Sequence, residues 1–217
     1  MSTYRRAVLF ANGEAGRLER LNLQTSDYLV AVDGGLRHLI ALNHTPHLLI
    51  GDLDSVDDQL LPDLEAQGVQ IMRFPPAKDQ TDLELALYQV LAQGFKHILI
   101  VAALGGRLDQ TLGNLALLTS PDLEAIDVQL DDGSERIFII RSHLDFPCEP
   151  GETVSLIPWG STVSGITTTG LQYPLEDETL NPHQTRGISN ITNTDRVVIH
   201  VGSGLLLCLD TRKDQKY

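Results

Sequence analysis

The sequence predicts a two-part chain: an α/β domain over residues 1–143, then an all-β, sandwich-like domain over residues 144–217. Two observations carry this. Up to about Ile140, short apolar runs alternate with helical patterns, the signature of a mainly parallel, Rossmann-like sheet with flanking helices. After His143 the helix formers give way to Thr, Ser and Val, punctuated by Pro147, Pro150, Gly151, Pro158 and Gly160. The length fits, because 217 residues suffice for one large domain or two small ones and bury roughly 70% of the unfolded surface.

Taken in order, the first strand is Ala7 to Ala11. It is too brief for a secretory segment or a membrane span, so a soluble, cytoplasmic protein is expected. Strands follow at Tyr28 to Val32, His47 to Ile50, Val69 to Arg73 and His97 to Ala102, then a pair near Ile126 to Leu130 and Arg136 to Ile140. The best-marked helix runs from about Thr81 to Gln93. There Thr81-Asp82-Leu83-Glu84 spells a capping box, Leu83, Leu87, Val90 and Leu91 share one face, and Gly94 ends the run. A second lies near Leu108 to Leu118 and stops before Ser120-Pro121. In the β half the clearest unit is Asp195 to Val201 and Leu205 to Leu209, joined by a Gly-containing loop of hairpin length. Thr211 to Tyr217 reads as a polar tail.

Composition narrows the function. A formal net charge of -13 opposes binding to nucleic acid or an anionic membrane and favours cations, metal or organic. Cys148 and Cys208 have no metal-ligand spacing, and a reducing compartment predicts free thiols. The seven histidines show no zinc-type spacing in sequence. No Ser sits in a G-x-S-x-G elbow, and Gly13-Glu14-Ala15-Gly16 lacks the spacing of a phosphate loop.

Polar clusters recur where strands of the first half end: Asp33-Gly34-Gly35, Gly51-Asp52-Leu53-Asp54-Ser55, Lys78-Asp79 with Thr81-Asp82, and Gly105-Gly106-Arg107-Leu108-Asp109. Alone, each has a structural reading, whether a solvated acidic turn, a helix cap or a surface ion pair. In a parallel sheet, however, all strand C-termini share one edge, so the four segments converge on one crevice. Two carboxylates about 4 Å apart repel by roughly 4 kcal/mol at an effective dielectric of about 20, a cost that a bound cation removes. Carboxylate oxygens suit Mg²⁺, which completes its shell with water and phosphate oxygens. Lys78 and Arg107 would neutralise phosphate, and the helix N-terminus at Thr81 would add backbone donors. The mixture points to transfer of a phosphate-containing group.

With these motifs in this order the chain resembles the thiamine pyrophosphokinase family, and Thr169-Gly170-Leu171 and Gly187-Ile188-Ser189-Asn190 resemble that family's β-domain signatures. The resemblance implies an α/β domain for ATP and Mg²⁺ and a β-sandwich for thiamine. It also implies a homodimer with thiamine held where one subunit's α/β domain meets the other's β domain. The implied reaction is ATP plus thiamine giving AMP plus thiamine diphosphate. Motif by motif, Asp52, Asp54 and Asp82 match the metal centre, and Asp54, Asp82, Arg107 and Asp109 the catalytic group. Asp33, Gly34, Lys78 and Thr81 match ATP and substrate contacts, with Ser189 and Asn190 reaching thiamine from the partner. Where the family often carries an aromatic and a tryptophan, this chain reads Gly170-Leu171-Gln172-Tyr173 and Leu205-Leu206-Leu207-Cys208, leaving Trp159 and Tyr173 as candidate stacking partners. The alternatives are a related diphosphokinase for another hydroxymethyl heterocycle, such as a pterin, and a non-catalytic nucleotide or thiamine sensor.

Overall fold

The computed structural model describes residues 4–213 and divides into two compact units, Met1–Asp132 and Gly133–Tyr217. In the first, ten elements alternate. They are β1 (Arg6–Phe10), β2 (Asp27–Val32), α1 (Leu36–Ala41), β3 (Leu48–Gly51), α2 (Leu61–Ala66), β4 (Gln70–Arg73), α3 (Asp82–Ala92), β5 (His97–Val101), α4 (Leu108–Leu117) and β6 (Asp127–Asp131). Their strands form a parallel sheet in the order β6-β5-β1-β2-β3-β4. Runs such as Ala-Val-Leu-Phe in β1 and Leu-Leu-Ile in β3 are fully buried, as strands covered on both faces must be. The chain moves outward from β1 to β4 and returns at β5 on the other side of β1, which makes the β1/β5 boundary the switch point where such sheets open a crevice. Thr81 caps α3 through its hydroxyl, which accepts from the Glu84 backbone N–H at 3.2 Å, and Leu83, Leu87 and Val90 are buried on one helix face.

Gly34 and Gly35 let this edge close. A Cβ on Gly35 would stand 1.8 Å from the Phe10 carbonyl oxygen, and one on Gly34 would meet the Asn12 side chain at 2.5 Å. Neither neighbour at Gly35 can move aside, since the contact is with β1 backbone. Gly35→Ala is therefore expected to cost about 1–3 kcal/mol through overpacking, measured by urea unfolding. A variant as stable as wild type would contradict this close approach.

The second unit holds β7 (Glu135–Ile140), β8 (His143–Pro147), β9 (Thr153–Pro158), β10 (Val163–Thr169), β11 (Glu178–Leu180), β12 (Asn190–Ile191), β13 (Arg196–His200) and β14 (Leu206–Thr211). Two antiparallel sheets result, β7-β14-β9-β12 and β8-β13-β10-β11. Phe138, Leu156, Leu206 and Cys208 from the first and Phe146, Ile166, Val197 and Ile199 from the second share one core, so the unit is a sandwich. Alternating burial along β9 fits a strand with one face inward.

Two expectations change. The run Arg136 to Ile140, grouped above with the first domain, is β7 of the second unit and pairs antiparallel with β14. The segments expected to form a hairpin are β13 and β14, and they lie in different sheets: β13 pairs with β8 and β10, β14 with β7 and β9. Both carry core side chains, and the five residues Val201 to Leu205 carry the chain from one layer to the other instead of reversing it within one. Thr211 closes β14, while residues 214–217 of the expected tail lie outside the described residues. Both cysteines are free thiols, and burial pushes Cys148 up to about 11.

Candidate active site

The strand exits of the first unit enclose a crevice of about 650 Å³. Asp33, Asp52, Asp54, Lys78, Asp82 and Arg107 all line it, so the predicted convergence is present. Thr81 lines it too, at the N-terminus of α3. Local backbone explains how the acids get there. Asp33 leaves β2 with φ +47°, and Leu53 takes φ +65° so that its side chain, 3% exposed, drops into the core while Asp52 and Asp54 face outward on either side. Such left-handed non-glycine residues cost of order 1–3 kcal/mol each and cluster at functional sites.

Asp33, Asp52 and Asp54 each offer a carboxylate oxygen, all within 4.8 Å of one another. Asp33 is 7% exposed, and its Oδ1 is buried without a hydrogen-bond partner among the described residues. The Ser55 hydroxyl donates to Asp54 (3.0 Å), and the Asp54 backbone N–H donates to Asp52 (3.2 Å). This trio differs from the predicted metal set in having Asp33 where Asp82 was expected. Asp82 instead lies 3.0 Å from Lys78 Nζ, which also stands 3.8 Å from Asp52. Burial holds the Asp82 carboxyl above its usual range; Lys78 pulls it back, and Asp52 and Asp33 push it up.

At the far wall Arg107 pairs with Asp109 (2.6 Å), forking its Nε and a terminal nitrogen onto the two carboxylate oxygens. Both side chains are mostly exposed. Arg107 faces the crevice, whereas Asp109 does not line it and acts here as the holder of Arg107. Arg107 holds the Asp109 carboxyl below its usual range.

Among the lining residues, Asn12 and Arg37 escaped the sequence reading. Asn12, just past β1, reaches Asp33 and Ser55 with its amide at 3.4 Å each. Arg37 of α1 donates to the Asn12 side-chain oxygen and to the Asn12 and Gly13 carbonyls (3.0 and 2.8 Å). His38, its pKa lowered by burial, faces the same Gly13 carbonyl at 3.1 Å, so Nε2 carries the proton. The available signal was Gly34-Gly35 followed by Arg37 at a strand exit, a basic side chain presented at the start of a helix.

Ser189 and Asn190 belong to the second unit. The Ser189 N–H donates to Ser155 Oγ at 3.0 Å. Asn190 uses both amide atoms on the Tyr173 backbone, accepting from its N–H (3.1 Å) and donating to its carbonyl (2.7 Å). Tyr173 is 64% exposed, while Trp159 is half-buried.

Residues 20–130 match the model of the thiamin pyrophosphokinase catalytic domain, and residues 140–206 that of its vitamin B1 binding domain. The thiamine pyrophosphokinase of Bacillus subtilis is 30% identical over 183 residues, covering 83% of this chain and 85% of that protein. Thiamine pyrophosphokinase 1 of Oryza sativa is 27% identical over 95% of this chain and 87% of its own. The crystal structure of the Bacillus subtilis enzyme superposes with a TM-score of 0.86 at 26% identity, over 96% of this chain and 100% of that one. Thiamin pyrophosphokinase from Candida albicans shares the fold, with a TM-score of 0.79 at 15% identity over 96% of this chain and 89% of that one.

Proposed function

The chain belongs to the thiamin pyrophosphokinase family, and from that premise we propose that the crevice on its parallel sheet is where the diphosphate of ATP passes to the hydroxyl of thiamine. The observation that carries this reading is the meeting of Asp33, Asp52 and Asp54 with Lys78 and Arg107 in one cavity. In the reaction the thiamine hydroxyl oxygen bonds to the β-phosphorus, the bond from that phosphorus to the oxygen bridging it to the α-phosphorus breaks, and AMP departs.

Mg²⁺ fits the donor set. All three candidate ligands are hard carboxylate oxygens, and the unpartnered Asp33 Oδ1 is a buried charge that a cation would satisfy. When bound there, the ion supplies charge neutralisation to the phosphate oxygens. Asp52, Asp54 and Asp33 would hold it. Lys78 and Arg107 take up charge on the transferring group, and the backbone donors at the start of α3 serve the same oxygens. Asp82, which lines the crevice beside Lys78 and lies outside the carboxylate trio, would receive the hydroxyl proton. Asp109 holds Arg107, and Gly34 gives Asn12 room beside Asp33.

We infer that Ser189 and Tyr173 face thiamine and that Asn190 acts one step back, by fixing the Tyr173 backbone. Two net hydrogen bonds together are worth about 1.5 kcal/mol, so Asn190→Ala should raise KM for thiamine roughly tenfold with little change in kcat. Steady-state kinetics in thiamine at saturating ATP decides this, and an unchanged KM would remove Asn190 from the thiamine site. A homodimer is part of the proposal. Leu108 and Leu112, 71% and 49% exposed one turn apart on α4, are apolar surface that a partner would cover. A cytoplasmic setting is likewise proposed; among the described residues no helix is long and apolar enough to cross a membrane. The test of the whole is direct: protein, ATP, Mg²⁺ and thiamine are incubated, and AMP and thiamine diphosphate are separated by chromatography. Both should accumulate in equal amounts, and the absence of both would overturn the assignment.

A further inference from the structure

On the outer face of the β8-β13-β10-β11 sheet, His143 of β8 stands directly opposite His200 of β13. The pairs on either side fix the ladder: Val201 N–H bonds to Ser142 O, and at the far end Cys148 N–H bonds to Asp195 O. Counting inward from these hydrogen-bonded pairs makes His143/His200 a non-hydrogen-bonded pair, the kind in which facing side chains come closest. Both residues are exposed. Their rings lie 4.6 Å apart between centroids, and the two Nδ1 atoms are 3.3 Å apart.

That separation has a specific chemical meaning. Two imidazole nitrogens bound to one tetrahedral Zn²⁺ at roughly 2.0–2.1 Å stand about 3.3–3.4 Å from each other. The Nδ1 atoms are thus already at the bite of a shared ion, and they belong to strands whose register is locked by the ladder. Asp145, two residues along β8 on the same face, is taken up by the Arg196 guanidinium at 2.6 Å, so the two imidazoles supply the protein ligands by themselves. We propose that His143 and His200 form a cross-strand site for a borderline divalent transition metal of the Zn²⁺ type, with water in the remaining positions. The pair belongs to the second unit, shares no residue with the carboxylate crevice of the first, and takes a different class of ion, nitrogen-ligated rather than oxygen-ligated.

The test is calorimetric titration of the full chain with Zn²⁺ in excess Mg²⁺, for wild type, His143→Ala and His200→Ala. Wild type should bind one Zn²⁺ that either substitution weakens at least about tenfold, the lower bound set by what losing mere supporting contacts costs a metal site. Binding should also fade as pH drops below the imidazole range. Both positions are exposed, so the variants should melt with wild type in the absence of Zn²⁺, and Zn²⁺ should raise the melting temperature of wild type alone. Absence of zinc binding by wild type, or equal binding by all three proteins, overturns the proposal. The first result would leave the two rings sharing a proton, and the second would put the ion elsewhere.

Discussion

Asp54→Asn is expected to lower kcat/KM for thiamine diphosphate formation by about 10²-fold or more while leaving the melting temperature unchanged, since on the proposed function it would remove one of the carboxylates that hold the ion. Asp54 is exposed, and its carboxylate is met by the Ser55 hydroxyl, so the fold loses little. Asp33→Asn should cost activity similarly but act oppositely on stability. Asp33 is buried, one of its oxygens has no partner, and it sits with Asp52 and Asp54 inside 4.8 Å. In the metal-free protein their mutual repulsion is offset only in part, since Lys78 reaches Asp52 at 3.8 Å but lies closer to Asp82, at 3.0 Å. Asn is the same shape and tolerates the φ of +47° that Asp33 adopts. Relief of about 1 kcal/mol corresponds to roughly 2–4 °C for a chain of this size, so metal-free Asp33→Asn should melt that much higher than wild type. The same substitution gives up function, as expected where a site is built at the expense of stability. Thermal unfolding without divalent ions and a coupled AMP assay measure the two effects. Near wild-type turnover in Asp54→Asn, or a lower melting temperature in Asp33→Asn, would contradict the assignment.

The sequence was most legible where local rules act alone. Continuous apolar runs such as Val8-Leu9-Phe10 and Leu48-Leu49-Ile50 cannot be solvated, and Thr81 with Glu84 marks a helix start whatever surrounds it. The convergence of Asp33, Asp52, Asp54, Lys78 and Arg107 was legible as well, because a parallel sheet leaves its strand C-termini no other edge. What depended on partners across space was not. Whether Arg136 to Ile140 joins the first unit or the second turns on its pairing with β14, and a buried strand reads the same in either sheet. The loop Val201 to Leu205 has hairpin length, yet nothing local says that Val197 and Leu206 pack from opposite layers. Within the crevice the spacing of Asp52 and Asp54 marks two carboxylates that come together, but not the third that joins them. Asp33 reaches them through a left-handed turn, while Asp82, four residues after Lys78, pairs with that lysine. Arg37 was missed because its hydrogen bonds run to carbonyls of residues more than twenty positions earlier.

The second unit makes its own demand, centred on Arg136. Its side chain is 13% exposed and sits against Asp210, directly across the β7/β14 ladder, at 2.6 Å, with Glu152 at 3.9 Å. It also donates to the Pro147 carbonyl at 2.8 Å and lies 5.2 Å from the Phe146 ring centre. One guanidinium therefore serves two carboxylates whose side chains are 0% and 6% exposed. Arg136→Met keeps much of the volume but takes the guanidinium away from both buried acids, which should cost about 3–5 kcal/mol at pH 7. The pH dependence has a definite sign. Even with Arg136 present, burial holds Glu152 above its usual range, with Asp210 adding to the push and Arg136 opposing it. Removing Arg136 raises the folded-state value further. A carboxyl raised on folding contributes stability that is present when it is protonated and lost as pH rises through the folded pKa, because the unfolded chain then releases its proton more readily. The deficit of Arg136→Met should therefore shrink as pH falls from 7 toward 5, and neutralising one acid in Arg136→Met/Asp210→Asn should recover part of it at pH 7. Urea unfolding of the three proteins at both pH values measures this. A deficit that is small at pH 7, or that grows on acidification, would mean that β7 and β14 are held by their ladder and apolar faces, with the ion pair as a passenger.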